Sequence, residues 1–156
     1  MSNRLVLPAR RNQITQKVRI AGHRTLYLSV HDNARPTEIF LRLKGSDCSS
    51  ELIGLYDVIA RLMSLALQYG APLEKVGDLL AGAKFKPCGP VSGHDRLKHC
   101  SSLPDLIGRH LLVEYCGRED LAHVLVSRGS GLIKSLAEDL SQKGQHNESS
   151  GKGEDS

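Results

Sequence analysis

Tryptophan is absent, and the only other aromatic residues are two Phe and four Tyr. The core must therefore be mostly aliphatic. Few rings are left for the row of exposed aromatics on which single-stranded nucleic acid stacks. Residues 1–24 contain no Asp or Glu, and no Cys follows Cys116. No uninterrupted long apolar run exists. The best candidate, 52–67, is broken by Asp57 and Arg61, and a charge at the bilayer centre costs about 2.5–3.5 kcal/mol. No membrane span or membrane partner is expected. No apolar segment follows the basic N-terminus, so neither is a secretory signal. The expected location is cytoplasmic, where Cys48, Cys88, Cys100 and Cys116 stay reduced and form no structural disulfide.

The chain has 156 residues, with 40% hydrophobic and 24% charged. These values fit one soluble domain with appendages and exclude a wholly disordered or collagen-like chain. The net charge is +4, concentrated at the N-terminus. Arg10 and Arg11 lie in a flexible basic arm over 1–13, and Lys17 follows at the start of the ordered part. Such an arm can neutralise phosphates or an acidic partner; a solvated leader gives the same pattern.

From Ile14 the pattern has period two. Ile14, Gln16, Val18 and Ile20 alternate with Thr15, Lys17 and Arg19. Leu26, Leu28 and Val30 alternate with Tyr27 and Ser29, and Ile39, Leu41 and Leu43 with Phe40 and Arg42. Short connections make these three strands an antiparallel meander. Gly45-Ser46-Asp47 ends the sheet and can cap a helix over 48–69. Leu52, Leu55, Ile59, Leu62, Ala66 and Tyr69 fall at helical spacing, and further apolar residues around them suggest burial on two sides. Ile59 is placed at the centre of the core. Helices over 73–81 and 104–116 follow, and 118–126 is ambiguous between helix and strand. The expected fold is α+β: a three-stranded antiparallel meander packed against three or four helices in a single domain. Beyond it, 127–142 reads as a hinge and terminal helix and 143–156 as a disordered tail.

Several motifs fail on their chemistry. Gly77-x4-Gly82-Ala83-Lys84 has the glycine spacing of a phosphate loop, but no strand precedes it and no hydroxyl follows the lysine. Cys88, His94, His99 and Cys100 lack the tight paired spacing of a zinc site, so no metal is assigned. No nucleophile elbow or spaced carboxylate pair suggests catalysis, and no catalytic residue is named. The loop over 82–99 stands out. Gly89 and Gly93 let the backbone turn or approach a ligand closely, and His94, Asp95, Arg96, Lys98 and His99 cluster behind them. Arg96, read as exposed, can hold a phosphate or carboxylate with two hydrogen bonds. A plain connector is the competing reading.

Four ordered segments resemble one family. They are LPARRNQITQKVRIAGHRTLYLSV, SLALQYGAPLEKV, FKPCGPVSGHDRLKH and EYCGREDLAHV. Together, over residues 5–126, they resemble the C-terminal region of class II, adenosylcobalamin-dependent ribonucleotide reductases. Ser101-Ser102-Leu103-Pro104-Asp105 sits where that region has the Thr-Ser-Cys-Pro-Asp motif of its TSCPD domain, with Leu103 in place of the Cys. On this resemblance, 14–126 is a TSCPD-like domain in a short stand-alone chain. Its family reduces ribonucleotides for DNA synthesis. The cofactor, adenosylcobalamin, belongs to a catalytic barrel that this chain lacks, so no cofactor or activity is expected here. Two functions remain. One is a non-catalytic accessory module acting with a separate reductase catalytic chain. The other is a repurposed binding or regulatory protein that contacts nucleic acid through the basic arm.

Overall fold

The computed structural model describes residues 3–125, and all that follows concerns the compact unit that ends at Val124. The hinge, terminal helix and tail expected beyond residue 126 lie outside the described residues. The alternating stretches form β1 (Gln13–Ile20), β2 (Arg24–His31) and β3 (Ile39–Lys44). They pair antiparallel in the meander the alternation implies, with Lys17 opposite Tyr27 and Tyr27 opposite Arg42.

The sheet does not stop at three strands. The segment read as a loop contributes β4 (Gly89–Ser92) and β5 (His99–Cys100), giving the order β3-β2-β1-β4-β5. β4 joins β1 through Arg19 opposite Ser92 and Ile20 opposite Val91. Gly93 then turns away at φ +88°, and a Cβ there would lie 2.8 Å from the Lys17 carbonyl oxygen. Only glycine fits this crossing without strain.

Three helices complete the domain: α1 (Ser50–Gln68), α2 (Leu73–Leu80) and α3 (Leu103–Tyr115). A short 3-10 turn at Glu119–Leu121 resolves part of the ambiguous 118–126 stretch. The cap of α1 is Ser49, whose side chain accepts from Leu52 N at 3.1 Å, two residues beyond the predicted capping cluster. The core lies on one side of the sheet. Ile20, Leu26, Val30 and Ile39 meet Leu103, Leu106, Ile107 and Leu111 there, each at most 1% exposed. α2 and α3 touch through Gly77 and Gly108, where a Cβ on Gly108 would come within 2.5 Å of Ala81 N. The first glycine of the apparent phosphate loop is thus a helix-packing residue.

α1 is buried on one face. Tyr56, Ala60, Met63, Ser64, Leu67 and Gln68 face inward, whereas Leu55, Leu62 and Tyr69 of the expected stripe are 52%, 60% and 50% exposed. Ile59 is only partly buried against the core and is not its centre. The helix covers the free edge of β3: Ser64 Oγ accepts from Ile39 N at 2.9 Å and donates to carbonyl oxygens of Ile39 and Ala60. Covering an edge in this way removes unpaired strand groups that would template aggregation. Among the described residues no helix is long and apolar enough to cross a membrane.

Candidate functional site

The glycine- and proline-rich segment folds its charged cluster inward as much as outward. His94 is 3% exposed and His110 5%, and His94 Nε2 lies 3.0 Å from His110 Nδ1. The tautomers follow from the partners. His94 Nδ1 accepts from both Arg96 N and Leu97 N at 3.1 Å, so its proton sits on Nε2 and is donated to His110 Nδ1. Burial holds both imidazoles neutral, pushing His94 down to about 4 and His110 to about 3. Neither ring is free to serve as a surface ligand.

The other predicted residues divide between structure and surface. The Arg96 side chain is 13% exposed and pairs with Glu119, which corrects its reading as an exposed arginine. Its carbonyl oxygen accepts from His123 N at 2.9 Å and Val124 N at 3.1 Å. Lys98 Nζ donates to the His94 carbonyl oxygen at 2.6 Å. Asp95 and His99 are exposed. Gly89 begins β4, and Gly93 makes the close crossing over Lys17. Cys88, His94, His99 and Cys100 do not converge, and no group of three or more His, Cys, Asp or Glu among the described residues is arranged to hold a metal.

The segment 101–105 is a structural device of high density. Ser102 caps α3 by accepting from Asp105 N at 3.0 Å. Leu103 is fully buried and Pro104 stands in the first turn, where its missing N–H is harmless. Asp105, also fully buried, accepts from Gly82 N at 2.7 Å, Ser101 N at 2.9 Å and Arg109 Nε at 2.9 Å. Burial works against its charge, but these donors outweigh it and hold the carboxyl below its ordinary value. One carboxylate thereby ties the turn after α2 to the start of α3. Cys100, beside it, is a buried thiol pushed up by burial.

The basic arm is joined to the body. Leu5 N donates to the Gln68 carbonyl oxygen at 3.0 Å and Arg4 Nε to Gln68 Oε1 at 2.7 Å. Arg11 makes a two-pronged pair with Glu38, so its charge is already matched. Arg10 is exposed. Lys17 is not part of the arm: it stands on β1 with its ammonium 5.7 Å from the centre of the Tyr27 ring.

Periodicity alone did not reveal the outer face of α1. Val58, Leu62 and Leu65, with Phe40 of β3, line an open groove of about 590 Å³ whose lining also includes Arg4, Glu38 and Arg61. The signal was present in the surplus of apolar residues on this helix. It shows that two faces are apolar but not which one the domain itself covers.

The described residues form a small α+β domain, an antiparallel sheet with three helices. The comparisons specify it further. The TSCPD domain profile matches residues 3–115. The chain is 38% identical over 125 residues to the vitamin B12-dependent ribonucleotide reductase of Bradyrhizobium diazoefficiens, covering 80% of this chain and 10% of the reductase. The corresponding protein of Agrobacterium fabrum is 38% identical over 76% of this chain and 9% of its own length. That of Rhodopirellula baltica is 31% identical over 73% and 11%. No solved structure matches. The chain belongs to the TSCPD domain family and is homologous to the TSCPD region of these reductases, of whose length it spans about a tenth.

Proposed function

We propose that this chain is a non-catalytic accessory module of a class II ribonucleotide reductase, working in the cytoplasm with a separate catalytic chain in deoxynucleotide synthesis. The observation that carries the reading is the apolar outer face of α1 in a domain whose relatives carry it within a long reductase chain. Leu55, Val58, Leu62 and Leu65 are each at least 40% exposed. A contiguous apolar patch of this kind marks a surface that another protein covers. Adenosylcobalamin, the family's cofactor, belongs to the catalytic chain in this reading. The donor set here does not fit a cobalt centre, because the facing nitrogens of His94 and His110 are engaged with each other.

The test is co-elution on a sizing column. The purified chain is mixed with a vitamin B12-dependent reductase from the same cell, beside Leu62→Asp and Leu65→Asp variants. The expected result is a complex with the parent chain and at least tenfold weaker association with either variant, both of which stay folded. A parent chain that elutes alone at concentrations well above micromolar overturns the reading. The nucleic-acid alternative gains its support from a different surface, and Arg11, spent on Glu38, does not carry it.

A further inference from the structure

Among the described residues no helix lies over the face of the sheet opposite the core, and this face collects positive charge around one aromatic ring. The register sets the arrangement. Arg19, Thr25 and Lys44 stand in one row across β1, β2 and β3; Lys17, Tyr27 and Arg42 in the next; Thr15, Ser29 and Phe40 in the third. Neighbouring strands lie about 4.8 Å apart and successive same-face residues nearly 7 Å apart. Four cations therefore occupy the corners of a rectangle roughly 10 by 7 Å, with Tyr27 midway along one side. Among the described residues none of Lys17, Arg19, Arg42 and Lys44 is in an ion pair. The Lys17 and Lys44 ammonium groups rest instead 5.7 and 5.6 Å from the centre of the Tyr27 ring. Thr15 and Ser29 hydroxyls, 2.7 Å apart, continue the surface toward Phe40, which is 43% exposed. A groove of about 680 Å³ runs over Tyr27, Phe40, Arg42 and Lys44 to α1. Among the described residues the one carboxylate lining it, Asp57, is taken up by Arg61 at 2.9 Å.

We propose that this open sheet face binds single-stranded nucleic acid, with Lys17, Arg19, Arg42 and Lys44 on the phosphates and Tyr27 and Phe40 stacking on successive bases. Charge complementarity selects a polyanion. The aromatics select one that carries planar rings: diagonal neighbours on adjacent strands are about 7–8 Å apart, within reach of two successive unstacked bases. A phosphate that draws the two ammonium groups away from Tyr27 uncovers the ring in the same step. A flat face presenting side chains to base planes cannot use a duplex, whose bases are already stacked. This function is separate from the accessory role and is measured without any reductase.

Fluorescence anisotropy of the full chain with a labelled oligothymidylate of about 12 nucleotides tests it. Micromolar binding is expected at about 50 mM salt. Four phosphate contacts predict a log–log salt slope of about −3. Lys17→Glu combined with Arg42→Glu should weaken binding at least tenfold, and Tyr27→Leu about fivefold or more, while Tyr27→Phe binds like the parent. Phe40→Ala is a second probe of stacking at an exposed position, should Tyr27→Leu unfold. Circular dichroism checks each fold. Any of three results overturns the proposal: no binding at low salt, equal binding of a duplex, or competition by polyglutamate as strong as by unlabelled oligonucleotide. So does binding that survives the charge reversals and is lost on Arg10→Ala, which would place the contact on the arm.

Discussion

The facing imidazoles of His94 and His110 make the fold's stability depend on pH. In the unfolded chain each titrates near 6.5; in the fold they titrate at about 4 and about 3. Between these values the unfolded chain binds more protons than the folded one, so stability is fully present above about pH 6.5 and declines as pH falls toward 4. Thermal unfolding followed by circular dichroism should show a midpoint that drops steadily over that window. His110→Phe should flatten the drop; an unchanged slope would place the cause elsewhere. Below the ordinary carboxylate range Asp105 adds a second decline, since its pKa is depressed and its stabilisation is lost once it is protonated. At neutral pH Asp105→Ala strands the amides of Gly82 and Ser101 and the Arg109 guanidinium, and should cost about 3–5 kcal/mol in chemical denaturation. Arg96→Ala removes a largely enclosed partner of Glu119 and should cost about 1–2 kcal/mol, more than a solvated arginine would. The sequence made the residue types of this cluster legible, but not their direction. His94 and Arg96 look like surface ligands because composition shows charge, whereas the turn at Gly93 that carries His94 into the interior depends on a contact with β1 more than seventy residues away in sequence.

The strands β1 to β3 were readable because each is half-buried, so the alternation of apolar and polar residues records which side faces the core. β4 and β5 were not. They comprise four and two residues, too short for a period to show, and Gly89 and Pro90 argue locally against a strand. Only pairing makes them strands, β4 on β1 and β5 on β4. The phase of α1 was hidden for the opposite reason: apolar residues cover both faces, and the buried one includes Ser64 and Gln68, whose polar groups serve the β3 edge and the Thr37 carbonyl oxygen. This division predicts unequal truncation costs. Leu111→Ala, in the centre of the core on α3, should cost about 2–5 kcal/mol, while Leu62→Ala should change stability by less than about 0.5 kcal/mol. Equal losses in urea titrations would mean that the outer face of α1 is covered within the domain. At the α2–α3 contact Gly108→Ala should cost about 1–3 kcal/mol, because the added methyl meets backbone and cannot be relieved by a rotamer change.

The domain turns two chemically different surfaces outward: the cationic sheet face and the apolar flank of α1. Phe40 lines both grooves, since it projects from the edge strand between them. A ligand on one face and a protein on the other would therefore share this ring, and their binding should be coupled through it. Leu62→Asp should weaken reductase association and leave oligonucleotide binding within about twofold, because the sites are otherwise lined by different side chains and distant effects add independently. Lys44→Glu should do the reverse. Phe40→Ala should weaken both, and it should reduce the effect that saturating oligonucleotide has on reductase affinity. Titrating the reductase against the chain with and without oligothymidylate, for the parent and all three variants, measures that coupling. If Phe40→Ala alters neither binding event, the two grooves are independent and the ring between them is only a cover for the edge of the sheet.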